Sequence, residues 1–211
     1  MGSRERRTRE RVETRQRIVD AAREMFVRKG YEATTMRAIA QRIEYTPTAI
    51  YHHFRNKEAL LTELSTQDFR ALAQAFQRIG QVADPVERLR RIGQAYIEFG
   101  IEHPMHYRLM FMTPHPRVAA AKTGIKRGDP GQDAYAFLLH ACEDAIAAGR
   151  FRPDLNDAHE VAQILWAGCH GLVSLHITTE HDEWVEWRDV GTTANRLHDV
   201  MLHGLLRQGS A

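Results

Sequence analysis

The segment from Thr34 to Phe54 (TTMRAIAQRIEYTPTAIYHHF) leaves this chain few ways to fold. Met36, Ile39, Ala40 and Ile43 recur at three- and four-residue spacing, which gives a short helix one buried stripe. Thr34 or Thr35 can cap its start by accepting an otherwise orphaned backbone N–H. Glu44 and Tyr45 make a corner. Thr46 and Pro47 then supply a cap and a proline at the first helical position, so a second helix starts there and runs to about Phe54. Helices this short are unstable alone and must be held by neighbours. The second offers Ile50 and Phe54 for that purpose, while Thr48, Tyr51 and His52 face elsewhere. No carboxylate lies between Thr46 and His53. Hydroxyls and imidazoles on an acid-free face suit a helix laid against phosphates and base edges, as in a helix-turn-helix.

Charge points the same way. The net charge of the 211 residues is only +2, but residues 1–57 hold 14 Lys and Arg against 7 Asp and Glu, leaving 15 basic and 20 acidic residues in the remainder. A basic bias confined to the segment with the helix-turn-helix implies a polyanionic partner there. Arg4, Arg6, Arg7, Arg9 and Arg11, interleaved with Glu5 and Glu10, predict a flexible basic arm over residues 1–13, or a frayed helix start. Such an arm could enter a minor groove or serve only solubility.

The rest of the chain reads as all-α, about nine helices, because no segment alternates with period two over a strand's length. A first helix is expected over Thr14–Lys29, ended by Gly30, and a long fourth helix from Lys57, capped by Asn56, to about Ile79. Others follow from Pro85 to Glu102, from Pro104 to Met112, from Gln132 to Ala148, from about Asp157 to Thr178 and from Val190 to Arg207. The expected division is an arm over 1–13, a head carrying the helix-turn-helix over 14–62 and a larger helical domain over 63–211. No apolar run is expected to reach the roughly 18 residues of a membrane span, and the arginine-rich start lacks the apolar stretch of a secretory signal. Cys142 and Cys169 alone make neither a disulfide framework nor a metal site, and fit a reducing cytoplasm. Twelve histidines invite a metal, yet none forms a ligand cluster with suitable spacing, so neither metal nor cofactor is expected.

Two patterns carry a family resemblance. Gly30 to Ala40 reads G-Y-x-x-T-T-x-R-x-I-A, and Thr46 to Leu61 reads T-P-x-A-I-Y-x-H-F-x-N-K-x-x-L-L. Together they resemble the DNA-binding domain of the TetR family of transcriptional repressors, over roughly residues 14–64. Glu44 stands where that turn usually carries glycine. Trp166 to Leu175 (WAGCHGLVSL), with Pro104-x-x-Tyr107-Arg108-Leu109-Met110-Phe111, resembles the family's C-terminal domain of the W-H-G type.

The resemblance implies a repressor, not an enzyme, that binds a palindromic operator in double-stranded DNA as a homodimer and is released by a small apolar or aromatic ligand. The alternative is a DNA-binding regulator without such an effector, controlled by a protein partner. Arg37 would make a bidentate contact to guanine, or else hold a phosphate. Pro47 and Thr48 would touch thymine methyls or a base edge. Thr35, Thr46, Tyr51, His52 and Lys57 would position the backbone, and a lysine at a helix N-terminus makes most sense with a phosphate beside it. Ligand contacts would come from Tyr96, Phe99, Met105, Tyr107, Met110, Phe111, Tyr135, Leu138, Trp166, Cys169 and His170, each of which could equally be core. Val161, Leu165, Gly168, Leu172, Leu197, Met201 and Leu205 make broad apolar stripes that would form the dimer contact.

Overall fold

Among residues 3–207, which this computed structural model describes, ten helices form. They are α1 (Ser3–Lys29), α2 (Met36–Arg42), α3 (Pro47–Tyr51), α4 (Lys57–Gln77), α5 (Pro85–Glu102), α6 (Pro104–Phe111), α7 (Ala120–Thr123), α8 (Ala134–Ala147), α9 (Ala158–Thr179) and α10 (Val190–Leu205). The described residues contain no strand beyond one isolated bridge between Phe151 and Leu206. The all-α expectation holds, with the four-residue α7 as the helix beyond nine.

Of the two forms expected for the arginine-rich start, the structure has the helical one, since α1 already begins at Ser3. Arginine and glutamate are good helix formers. An Arg6–Glu10 ion pair one turn apart supports the segment further. A helix nucleated by the buried residues from Ile18 onward therefore extends outward without any apolar stripe of its own.

The chain divides into two compact units, residues 1–68 with 105–125, and 69–104 with 126–211. These compact units part within α4, and α6 and α7 belong to the first. Leu109 explains part of this, being buried in the same core as Ile18, Phe26, Ile39, Ile50, Leu60 and Leu64. At the centre of the first unit Arg23 of α1 meets Asp68 of α4, 4% and 0% exposed, with Arg23 Nη2 donating to Asp68 Oδ1 at 2.7 Å. His106 Nδ1 of α6 lies 2.9 Å from the same oxygen. Phe69, next along α4, is exposed.

In the second unit α5 packs against α8, α9 and α10, and α9 also packs against α8 and α10. Side-chain caps from Asp84, Asp133, Asp157 and Asp189 start these four helices. Three residues expected at a dimer contact belong to this unit's own core: Val161, Leu165 and Leu205 are 0%, 6% and 6% exposed. Gly168 lies against Met201, so it too serves contact within the chain. The large apolar side chains that α9 and α10 leave exposed are Ile164, Trp166, Leu175 and Val200. Contrary to the sequence reading, α9 is long and apolar enough to cross a membrane by length and composition alone. Its buried positions, however, face neighbouring helices of this unit.

His198 of α10 sits at 1% exposure beside Gly93 of α5, with its Nε2 3.5 Å from Cys169 Sγ. Burial lowers its pKa first and nearby Arg90 lowers it further, against the opposing pull of the Ala194 backbone and Asp199. The folded form therefore resists the proton that the unfolded histidine accepts near pH 6.5. This contribution to stability is complete above that pH and fades as pH falls below it, by up to about 1.4 kcal/mol per pH unit. The thermal midpoint is expected to drop between about pH 7.5 and about pH 5.5, and to drop less in His198→Gln. Equal drops in the two proteins would remove His198 as the cause.

Candidate nucleic-acid interface

The helix-turn-helix is built from side-chain caps. Thr35 caps α2 by accepting the Ala38 N–H at 3.1 Å, and Thr46 caps α3 by accepting the Ala49 N–H at 3.2 Å. Thr34 is buried instead, its hydroxyl donating to the Gly30 carbonyl at 2.8 Å and so closing the end of α1. Between α2 and α3, Glu44 has a φ of +61°, the left-handed conformation that favours glycine. The strain at Glu44 costs about 1–2 kcal/mol, part of which glycine would forfeit through its larger unfolded-state entropy. Glu44→Gly is expected to raise stability by about 0.5–1 kcal/mol in urea unfolding. A lowered stability would show that the turn is not strained.

Ile50 and Phe54 are buried in the head, while Thr35, Arg37, Thr46, Pro47, Thr48, Tyr51 and His52 are all exposed. Lys57 is different. Its ammonium donates to the Tyr31 carbonyl at 2.8 Å and lies 4.1 Å from the centre of the Tyr31 ring, so it ties the start of α4 to the loop after α1. Asn56 caps α4, its Oδ1 accepting the Ala59 N–H at 2.8 Å. Tyr45 packs partly against the core, with the Arg17 guanidinium over its ring at 5.3 Å. His53 is half-buried, and its pKa is lowered by burial and by Arg11, Arg15 and His52.

The expected ligand contacts fall in both units. Met105, Tyr107, Met110 and Phe111 belong to the first, where Tyr107 is fully buried and its ring lies 4.9 Å from that of Phe111. In the second unit Tyr96, Trp166 and His170 come together. Trp166 Nε1 donates to the Tyr96 hydroxyl at 2.9 Å, and that hydroxyl lies 3.3 Å from His170 Nδ1. His170 Nε2 is 3.2 Å from Ser174 Oγ, a partner the sequence reading missed although it stands one turn further along α9. Burial lowers the His170 pKa and so favours the neutral ring. A consistent assignment sends the Tyr96 proton to Nδ1 and leaves the imidazole proton on Nε2. Tyr135 joins at one side, its ring 6.2 Å from Trp166 and its hydroxyl 3.0 Å from His159 Nδ1. Phe99 packs edge-on against His103 instead, and Leu138 is buried. Cys169 turns toward His198, and burial pushes both its thiol and that of Cys142 up to about 12, far from reactive thiolate.

Comparison with known proteins finds two family domains along the chain. Residues 18–64 match the bacterial regulatory proteins of the tetR family, and residues 89–205 match the tetracyclin repressor-like C-terminal domain. The HTH-type transcriptional regulator UidR of Escherichia coli K12 is 44% identical over 149 residues, which is 69% of this chain and 72% of that protein. The HTH-type transcriptional repressor KstR2 of Mycobacterium tuberculosis H37Rv is 29% identical over 140 residues, 66% of this chain and 70% of its own. Among solved structures, the TetR family regulator PfmR of Thermus thermophilus superimposes with a TM-score of 0.68 at 26% identity, covering 90% of this chain and 99% of PfmR. The structure of KstR2 gives 0.71 at 24% identity, covering 92% and 96%. These likenesses are to transcriptional regulators rather than enzymes. With one family domain matched over the head and another over more than half of its length, the chain belongs to the TetR family of bacterial transcriptional regulators.

Proposed function

We propose that this regulator binds a palindromic operator as a homodimer in the cytoplasm and is released from it by a small apolar or aromatic ligand. The observation that carries the reading is the outer face of the head. Arg37, Thr46, Pro47, Thr48, Tyr51 and His52 are exposed while their neighbours Ile39 and Ile50 are fully buried. Arg37 is the proposed base reader, its guanidinium fork matching guanine O6 and N7. Pro47 and Thr48 are the proposed contacts to thymine methyls or a base edge. Thr35, Thr46, Tyr51 and His52 set the register on the sugar-phosphate backbone, with Lys57 adding a phosphate contact beside its bond to Tyr31.

The proposed dimer contact is the side of α9 and α10 that the chain leaves open. Ile164, Leu175 and Val200 are exposed there, and Gly171 and Gly204 have free space where a side chain would stand. Half-sites should then lie about 34 Å apart, one turn of duplex. The ligand is proposed to meet Tyr96, His170 and Trp166, whose polar atoms would orient one hydrogen-bonding oxygen of an otherwise apolar molecule. KstR2 is described as a ketosteroid transcriptional regulator, so steroid ketones belong with simple aromatics in a first panel of candidate ligands.

Selection of bound duplexes from a random pool, followed by light scattering of the complex, tests the reading. An enriched inverted repeat held by two chains is expected; one chain per duplex, or no enrichment, would refute it. In the selected duplex Arg37→Ala should erase about 1–3 kcal/mol of discrimination at one base pair. Lys57→Ala should weaken all duplexes alike and lower the salt dependence. Ligand release is checked separately, by stabilisation in a thermal-shift screen and loss of the complex at the same concentration.

A further inference from the structure

The first turns of α1 project from the head as a charged helix, and their charges are sorted. At about 100° per residue, Arg4, Arg7, Arg11 and Arg15 fall within an arc of roughly 80°, and the same arc continues inward through Ile18, Ala22 and Met25. Glu5, Glu10 and Glu13 all lie off that arc. The buried face of α1 therefore runs outward into a stripe of arginines free of acid. Arg4, Arg7 and Arg11 are exposed and make no side-chain hydrogen bond or ion pair among the described residues. Arg6, on the opposite side, is paired with Glu10.

The inner end of the stripe fixes where it points. Arg15 Nη1 donates to the His53 carbonyl at 2.9 Å, and its guanidinium lies over the Phe54 ring at 4.1 Å. His53 and Phe54 come just after His52, the C-cap of α3, so the stripe emerges beside the C-terminal end of that helix. Arg11 is close enough to His53 to add to the lowering of its pKa after burial.

We propose that Arg4, Arg7 and Arg11 form a second grip on DNA, holding phosphates next to the half-site that α2 and α3 read. This rests on the DNA-binding reading above. Because the segment is a helix about 10–12 Å across, it cannot enter a minor groove about 6 Å wide as an extended arm would. Its arginines reach backbone oxygens along a run of about 10 Å and carry affinity without sequence preference. The partner is the phosphate backbone of duplex DNA.

The test measures operator affinity between about 50 and 250 mM salt by fluorescence anisotropy, for the full chain and a triple Arg4→Gln, Arg7→Gln, Arg11→Gln variant. Each lost phosphate contact should flatten the log–log salt slope by about 0.9, or about 3 for each head, while the preference for operator over scrambled duplex stays the same. Arg6→Gln with Arg9→Gln, off the stripe, should change the slope by less per arginine removed. Equal loss per arginine from both sides would overturn the proposal, since diffuse charge would then account for it. An unchanged slope in the triple variant would overturn it too. Failure of the unaltered chain to bind any duplex would instead refute the DNA-binding reading. Thermal midpoints of all variants should match the parent, because none of these side chains is buried.

Discussion

Asp68→Ala is expected to destabilise the protein by about 3–5 kcal/mol, enough to unfold much of a marginal domain. The reason is what it leaves behind. Arg23 is 4% exposed and bonds Asp68 with both Nη2 and Nε, at 2.7 and 3.5 Å. Its remaining acidic partner is the largely exposed Asp20, 3.1 Å from Nη1. Removing Asp68 strands a guanidinium in the core and also takes the 2.9 Å partner from His106. Three helices, α1, α4 and α6, lose a common anchor. The cost of desolvating both ions suggests the control: Arg23→Met combined with Asp68→Leu fills the space without charge and should recover most of the loss. Urea unfolding of the parent, the single variant and the double variant gives the coupling directly. Should the double variant be no more stable than Asp68→Ala, the loss reflects packing rather than a stranded charge.

This pair also shows what a sequence can and cannot disclose. Asp68 stands four residues after Leu64 and four before Leu72, so it occupies the inward stripe of α4. Arg23 likewise stands among Val19, Ala22 and Phe26. A charge on an apolar stripe is a visible signal, but two such charges forty-five positions apart declare each other only in the fold. Local chemistry was easier to read. Thr46 with Pro47, and Asp84 with Pro85, mark helix starts through bonds that need no distant partner, and both helices begin there. The apolar stripes of α9 and α10 could be read, but not which side of each the chain itself covers. A helix such as α9, apolar on more than one side, does not reveal which side its own α5 and α8 cover, and Val161 and Leu165 went to the interior while Ile164 and Leu175 stayed outside. Exposure of Arg37, Thr48, Tyr51 and His52 followed the spacing, because Ile39 and Ile50 fix the opposite face. Lys57 has a structural contact that the spacing did not announce. Its attraction to the Tyr31 ring and carbonyl joins segments twenty-six residues apart, a contact invisible to helical periodicity.

Gly93→Ala is expected to be the most damaging single-methyl change in the second unit. A β-carbon built at Gly93 would overlap the His198 ring, coming within 2.7 Å of its Cδ2 and closer still to Nε2. Neither side can yield cheaply. Gly93 lies inside α5, and His198 is enclosed, with Cys169 at its Nε2. Forcing a methyl into such a site costs about 1–3 kcal/mol or more through displaced side chains and backbone, although alanine would by itself favour the helix by about 1 kcal/mol. The net loss should therefore reach about 2 kcal/mol, seen as a lower urea midpoint with an unchanged slope. A double-mutant cycle separates overlap from any other defect. His198→Ala alone opens a cavity and costs stability, but in that background Gly93→Ala should become neutral or stabilising, because the ring it strikes is gone. The sign change is the decisive result. If Gly93→Ala costs the same with and without the imidazole, α5 and α10 are not locked together at this point, and the depressed pKa of His198 must arise without so close an approach.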